Sequence, residues 1–382
     1  MKIFHISDLH IGKVLNGFSL IEDQKYVLRQ VKEYIKDYKP NVVVIAGDIY
    51  DRSVPSSSAI ELLNEFLGDV LIKTKTPIIA VAGNHDGSNW IEYGNGIFEK
   101  LELHIEGKFK REIKKVVLSD EHGEVNFYLV PFADYAAVRD ILENKDVKSL
   151  DNAMKFTIEN IKEDFDETKR NVLVTHGTVA GDESLNTRES EKPLVIGGKE
   201  SVNVDIFEKF DYVALGHLHS YQKVKSDKVR YSGSILKYSF SEEDDNKGVA
   251  MVDIDKDGNI KCKLLPLNPM RNMRTIEGKL DDLLNLANKY NKDDYIRAIV
   301  TDEGELIEPM AKLRKVYPNI MMLELKRQLG ELKTSMLNSV SRRQKNPLDI
   351  FSEFYKYNMQ EELSDKGYDI ISKIIESIEE EN

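Results

Sequence analysis

Five short clusters between Asp8 and His219 carry the side chains best suited to chemistry. They read Ser-Asp-Leu-His (Asp8, His10), Gly-Asp-Ile-Tyr-Asp (Asp48, Asp51), Gly-Asn-His-Asp (Asn84, His85, Asp86), Thr-His-Gly (His176) and Gly-His-Leu-His (His217, His219). Each is weak alone, because an aspartate after a strand can cap a turn and a histidine at a strand end is often a hydrogen-bonded structural residue. Together they share one pattern, a polar cluster at the end of an apolar run. Glycines 47, 83, 177 and 216 let the backbone pass close to a common centre. Carboxylate, amide and imidazole donors without a thiolate suit a borderline-hard divalent ion in an octahedral site. Mn²⁺ fits this set best, with Mg²⁺, Fe²⁺ and Zn²⁺ left open. Asp8, His10, Asp48, Asn84, His176, His217 and His219 are too many ligands for one ion that must also leave room for water and substrate. They suit two ions about 3.5–4 Å apart, which need a bridging carboxylate, and Asp48 is the best candidate for it.

The elements that must position these groups follow from apolar spacing. The run VVVIAGDIYDR, residues 42–52, opens with four β-branched residues and no polar break. That is the pattern of a strand covered on both faces. Asp48 follows where this buried strand opens into a loop, and a carboxylate there needs a cation or strong donors. From that stretch alone, capping of the turn is an equal reading. Residues 3–7, 78–82, 171–175, 212–215 and 229–232 read as further strands. Helical spacing covers 21–38, 57–67 and 150–164, with Pro40 ending the first and Ser56 to Ser58 offering N-caps to the second. Residues 116–118 and 126–130 read as a hairpin around Gly123, and 248–254 and 260–266 as another across Asp257-Gly258. Helix–strand alternation early and hairpins late predict an α/β sandwich of mixed sheets flanked by helices.

A chain of 382 residues suggests two or more domains, and 41% hydrophobic with 31% charged residues supplies a globular core. No run of about 18 apolar residues is present, so no membrane span is expected. The start, MKIFHISDLH, turns polar too early for a signal peptide. The single cysteine, Cys262, excludes an internal disulfide and fits a reducing cytoplasm; its place in an alternating strand predicts a small buried apolar residue. A net charge of −12 argues against broad attraction to nucleic acid, without excluding binding through metal ions and local Lys and Arg.

Beyond Pro266 and Pro269 the character changes. Strands at 273–280, 295–301 and 320–326 around helices at 280–290 and 308–316 predict a small α+β domain over 271–327. Residues 328–347 read as a polar, basic linker. The basic stretch runs from Lys312 to Lys345, and Glu379 to Glu381 form an acidic tail. Residues 348–358 and 368–378 are amphipathic, carrying Ile350, Phe351 and Phe354 in one and Ile371 and Ile374 in the other. Two short helices cannot bury such faces alone. They either fold back on the body or hold a partner.

In their order, SDLH, GDIYDR, GNHD, THG and GHLH resemble the calcineurin-like metallophosphoesterase superfamily. The flanks KIFHISDLHIGK, GDIYDRSVPSSSA and YSGSILKYSFSEED (231–244) resemble its DNA-repair branch, the SbcD nuclease subunits. The resemblance covers roughly residues 1–270 and continues more loosely beyond. It implies a four-layer α-β-β-α sandwich over 1–270, a smaller α+β capping domain and C-terminal helices over 348–382. It implies that Asp8, His10, Asp48 and His219 hold one ion and that Asp48, Asn84, His176 and His217 hold the other. His85 would stabilise the transition state or protonate the leaving 3′-oxygen, with Asp86 orienting it. Archaeal and eukaryotic members carry a histidine where this chain has Asp51; bacterial members commonly have aspartate, and a contact behind the ligands is expected of it.

Lys13, Asp51 and Arg52 are the candidate substrate contacts, with solvated loop residues as the alternative for each. The resemblance also implies a dimer through helices after the second and third motifs. That assigns Leu62, Leu63, Phe66, Ile97 and Phe98 either to a shared surface or to ordinary core packing. The implied partner is an SbcC-type coiled-coil ATPase docked on Ile350, Phe351, Phe354, Ile371 and Ile374, giving a homodimer within a heterotetramer, cytoplasmic and associated with the bacterial nucleoid. The function so implied is a metal-dependent DNA nuclease, double-strand exonuclease and single-strand endonuclease, in repair and recombination. The alternatives are a phosphatase or small-molecule phosphodiesterase, since the metal core does not separate a phosphomonoester from DNA, and a structural DNA-end-binding subunit. Every ligand position is filled, which counts against the last.

Overall fold

The computed structural model describes residues 1–181, 184–191, 201–286, 291–304 and 306–326, with scattered positions between 351 and 372. Two six-stranded sheets dominate. The first runs in the order Ile260–Pro266, Gly248–Ile254, Lys2–Ile6, Val42–Ala46, Ile78–Val81, Leu103–Glu106. Its last four strands are mutually parallel, and the first two form the hairpin expected across Asp257-Gly258. The second sheet runs Gln222–Val224, Ser226–Tyr231, Tyr212–Gly216, Arg170–His176, Gly123–Val130, Lys114–Asp120, with antiparallel pairs only at its two edges.

Period-2 alternation places the strands between two cores. Val42, Val44 and Ala46 face Val125, Phe127, Leu129, Val172, Val174 and Ala214 of the other sheet. Val43 and Ile45, from the same strand, pack outward with Val27, Leu28, Val31 and Ile35 of the helix Ile21–Tyr38 and Phe66 of the helix Ser57–Gly68. On the far side, Tyr128, Leu173 and Val213 pack against the helices Tyr135–Leu142 and Leu150–Ile161. The result is the expected four-layer α-β-β-α sandwich. Each fully buried Val or Ile contributes about 1.5–3 kcal/mol, so the sheet edges that carry the site are rigidly held.

Several local features differ from the sequence reading. The helix beginning at Ser57, capped by Ser56 accepting from the Ala59 N–H at 3.3 Å, runs to Gly68 and continues as a π-turn over Asp69–Thr74. The hairpin turn is Glu121-His122, and Gly123 is already the first residue of its strand. The expected strand 273–280 ends at Gly278, and a helix begins at Leu280. Cys262 lies in its strand but is only partly buried. Leu62, Leu63 and Phe66 belong to the core, which decides for ordinary packing over a shared surface at these three; Ile97 and Phe98 remain exposed.

The chain divides into two compact units, Met1–Thr275 with Tyr290–Arg297 and Tyr317–Met322, and Ile276–Lys289 with Ala298–Val316 and Leu323–Asn382. Within the second, the helix Leu280–Leu286 is anchored where the Leu280 N–H donates to Asp302 at 2.6 Å, and Leu283 and Leu313 are fully buried. Phe351 and Ile371 are helical and half-buried; Ile350, Phe354, Ile374 and the linker 328–347 lie outside the described residues. Among the described residues, no helix is long and apolar enough to cross a membrane.

Candidate metal centre

The loops that leave the parallel strands of both sheets meet at one edge. Those after Lys2–Ile6 and Val42–Ala46 run side by side, with the N–H groups of Asp8, His10 and Ile11 donating to the carbonyls of Gly47, Asp48 and Ile49. The backbone is strained here: Asp8, His10, Asp48 and His217 all have positive φ, at 51°, 43°, 48° and 108°. Non-glycine residues rarely adopt this conformation, and it persists where surrounding contacts enforce it. A Cβ on Gly83 would overlap the Asp48 carboxylate, and one on Gly216 would overlap the Ala46 carbonyl. Glycine at these two positions is what allows the loops to converge.

All seven expected ligands come together, and two sets of donors face the two oxygens of Asp48. On the Oδ2 side, His10 Nε2 lies at 3.6 Å. His219 Nε2 is 3.2 Å from that nitrogen, and Asp8 completes the group. On the Oδ1 side, His176 Nε2 lies at 3.6 Å. Asn84 Oδ1 is 3.0 Å from His176 Nε2 and 3.2 Å from His217 Nδ1.

The hydrogen bonds behind the rings decide what these short distances mean. His176 Nδ1 faces the Ala46 carbonyl at 2.9 Å and must donate to it. In the neutral ring its Nε2 therefore presents a lone pair to the Asn84 oxygen, also an acceptor. Two acceptors at 3.0 Å with no proton between them repel each other, and a cation there relieves the repulsion. On the other side only one of the two rings is fixed from behind. His219 Nδ1 faces Ser190 Oγ at 2.9 Å and Glu242 Oε1 at 3.3 Å, which turns the Nε2 lone pair toward His10. His10 Nδ1 is buried without a hydrogen-bond partner, 3.8 Å from Asp51 Oδ1. The donor set thus fits two divalent ions sharing Asp48.

The electrostatics agree for His10 and His217. Burial raises the Asp8 pKa, against the opposing pull of His176 and His219. Burial, reinforced by neighbouring imidazoles, holds His10 and His217 well below the ordinary histidine value. Burial would lower His219 as well, but the hydrogen bond and charge of Glu242 raise it on balance. Neutral imidazoles are the form that ligates metal.

His85 and Asp86 sit beside the cluster but do not form the expected pair. His85 Nδ1 donates to the Asp51 carbonyl at 2.9 Å, and its Nε2 lies 3.9 Å from Asp48 Oδ2. The Asp86 carboxylate instead accepts the N–H groups of Ile49, Tyr50 and Gly83, tying the second and third loops together. Burial, and then the charge of Asp48, push its pKa up to about 7. Lys13 Nζ pairs with Asp51 Oδ1 at 2.8 Å, and Arg52 is 73% exposed. Asp51, Arg52, Ser56 and Ser58 line a cleft of about 330 Å³ next to the site.

Sequence reasoning missed four supporting residues. Gln24 donates to the carbonyls of Leu9 and His10 and accepts the Gly12 N–H. Glu242, Ser190 and Lys247 form the network behind His219. Glu242 lies within the run 231–244 already quoted for the resemblance, but nothing in its spacing marked it.

The family model for calcineurin-like phosphoesterases matches residues 1–221, and one described as the type 5 capsule protein repressor C-terminal domain matches residues 269–358. The SbcD chain of the nuclease SbcCD from Staphylococcus epidermidis is 36% identical over 379 residues, 99% of each chain. Two solved structures were also matched. The Thermus thermophilus protein TT1561 is 10% identical, with a TM-score of 0.40, over 69% of this chain and 98% of that one. A dimetal phosphatase from Danio rerio is 11% identical, with a TM-score of 0.39, over 66% of this chain and 92% of that one.

Proposed function

Because the chain belongs to the SbcD branch of the calcineurin-like phosphoesterases, we propose that it is a divalent-metal-dependent DNA nuclease. It hydrolyses phosphodiester bonds as the catalytic subunit of an SbcC–SbcD type end-processing complex. The observation that carries the chemistry is the convergence of two donor sets on the two oxygens of the buried Asp48. Asp8, His10, Asp48 and His219 would hold one ion; Asp48, Asn84, His176 and His217 would hold the other. When bound, such a pair neutralises phosphate charge and lowers the pKa of a coordinated water. Mn²⁺ is the favoured ion on the donor set.

The chain's own residues then divide the remaining work. The Asp51 carbonyl fixes the His85 ring so that Nε2 faces the centre. From there His85 in its protonated form donates to the leaving 3′-oxygen. Asp86 holds the loops that carry Asp48 and Asn84 in register. Arg52, exposed at the edge of the adjoining cleft, and Lys13 are the candidate contacts to DNA phosphates, and the basic stretch 312–345 is a further candidate for contact with the DNA backbone.

The assembly we favour is a homodimer through the exposed Ile97 and Phe98, within a heterotetramer with an SbcC-type coiled-coil ATPase. The capping domain spans 271–327 and the linker 328–347. The helices after it supply Ile350, Phe351, Phe354, Ile371 and Ile374 to the ATPase. The complex acts in the cytoplasm on nucleoid DNA, as a double-strand exonuclease and single-strand endonuclease.

The test is purified protein with Mn²⁺ on linear duplex and single-stranded DNA, beside His85→Ala. Cleavage by the wild type and its loss in the variant are expected. DNA left intact by both would overturn the reading.

A further inference from the structure

The donor sets on the two sides of Asp48 are backed differently. Behind His176 stands a neutral group, the Ala46 carbonyl. Behind His219 stand the Ser190 hydroxyl, 2.9 Å from Nδ1, and an anion. Glu242 is fully buried, and its carboxylate is held from several directions. Oε1 accepts from Ser190 Oγ at 2.5 Å, Ser239 Oγ at 3.1 Å and the Tyr238 N–H at 3.2 Å, and lies 3.3 Å from His219 Nδ1. Oε2 pairs with Lys247 Nζ at 2.6 Å, and the same ammonium donates to the His219 carbonyl at 2.8 Å. The ligands themselves add to the asymmetry. Of the groups that meet there, the uncharged amide of Asn84 lies with His176 and His217, while Asp8 groups with His10 and His219 and also with Asp48 and His176.

We infer that the two metal positions are unequal: the one bounded by Asp8, His10, Asp48 and His219 binds a divalent ion more tightly and fills first, with Glu242 as the positioning residue that sets the difference. This rests on the dinuclear reading above. A carboxylate accepting from the Nδ1–H of a ligating histidine fixes the ring with its Nε2 lone pair turned inward and raises its basicity. A backbone carbonyl fixes the ring without adding charge. An additional carboxylate ligand also attracts a divalent cation more strongly than an amide oxygen does. A buried glutamate needs compensation, and the only cation paired with Glu242 among the described residues is Lys247, which also holds the His219 main chain.

The test is titration of the full chain with Mn²⁺, without DNA, followed by the electron paramagnetic resonance signal of the free ion. Two ions per chain are expected, in steps separated by about tenfold or more. Glu242→Gln is expected to weaken the tighter step by about 10- to 100-fold, the usual cost of losing such a supporting group, and to leave the weaker step within about twofold. That variant also strands the Lys247 ammonium. The double variant Glu242→Gln/Lys247→Met removes this charge, and is expected to melt close to the wild type while keeping the weakened tight step. Two equal steps in the wild type, or an unchanged tight step in the double variant, would overturn the inference and leave the dinuclear site standing. Fewer than two ions per wild-type chain would overturn both.

Discussion

The imidazole of His85 donates from Nδ1 to the backbone carbonyl of Asp51 at 2.9 Å, so the ring is aimed by main chain and not by its sequence neighbour. Asp86, one residue on, spends its carboxylate on the N–H groups of Ile49, Tyr50 and Gly83. Adjacent residues of one motif therefore do different jobs, one at the reacting centre and one in the scaffold that carries it.

Substitutions at the two should accordingly leave opposite signatures. Asp86→Ala strands three N–H groups, each worth about 1–3 kcal/mol when buried and unpaired. A loss of several kcal/mol in denaturant unfolding is expected. His85→Ala should melt close to the wild type while DNA cleavage falls by about 10²- to 10⁴-fold, the range for a lost proton donor. Thermal and urea unfolding beside initial rates would separate them. An Asp86→Ala protein of wild-type stability would show that the three loop contacts carry no energy.

Metal binding should appear as stability. The His176 Nε2 lone pair meets the Asn84 oxygen at 3.0 Å, so this part of the metal-free centre is repulsive and a cation relieves it. At a free concentration about a hundred times the dissociation constant, a ligand that binds only the folded state adds about 2.7 kcal/mol. Mn²⁺ should raise the melting temperature, a chelator should reverse the rise, and Asp48→Asn should abolish it. Differential scanning fluorimetry reads all three, and a chelator that changes nothing in metal-loaded protein would contradict the expectation.

The parts legible in the sequence were those whose signal is local. Val42–Ala46 announced itself because five successive residues face two apolar layers. The motifs followed because each begins where such a strand stops. The supports behind them were not legible. Glu242 follows Ser239 in a single turn, 23 residues from His219, and Gln24 sits on a helix 14 residues from His10. Tertiary contact alone gives either a role. A two-turn helix such as Tyr135–Leu142, with only Val138 and Leu142 buried, carries too little periodicity to stand out. Leu62 and Leu63 looked equally suited to a partner or to a core, since both are apolar helix positions, and only the neighbouring helix Ile21–Tyr38 decided between them.

Gln24 offers a test of that hidden support. Its amide donates to the carbonyls of Leu9 and His10 at 3.2 and 2.7 Å and accepts the Gly12 N–H at 2.9 Å, pinning the loop that holds His10. Gln24→Leu keeps the volume and removes every one of these bonds. A destabilisation of about 2–5 kcal/mol is expected from the orphaned groups. The thermal gain on adding Mn²⁺ should shrink as well, because His10 loses its anchor. A variant equal to wild type in both measurements would show that the loop holds itself.

His5 gives the pH dependence its clearest sign. It lies on the first strand, fully buried, with Nε2 donating to the Leu215 carbonyl at 3.1 Å and Nδ1 accepting from the Tyr212 hydroxyl at 2.9 Å. Both bonds use the neutral ring. Burial lowers its pKa to about 3, with the Leu215 carbonyl opposing and Arg230 adding to the shift. In the unfolded chain the value is about 6.5. Between these values the unfolded chain binds the extra proton, so stability rises with pH. The contribution is fully present above about 6.5 and is lost as the pH falls toward 3, at up to about 1.4 kcal/mol per unit. His5→Gln cannot take up that proton. The variant should be less stable than the wild type at pH 7, and the gap should close as the pH falls from about 6.5 to about 4.5. Urea unfolding of both proteins with chelator at each pH measures the difference directly, cancelling the titration of the metal ligands they share. A gap that stays constant over this range would mean that His5 is already protonated in the fold.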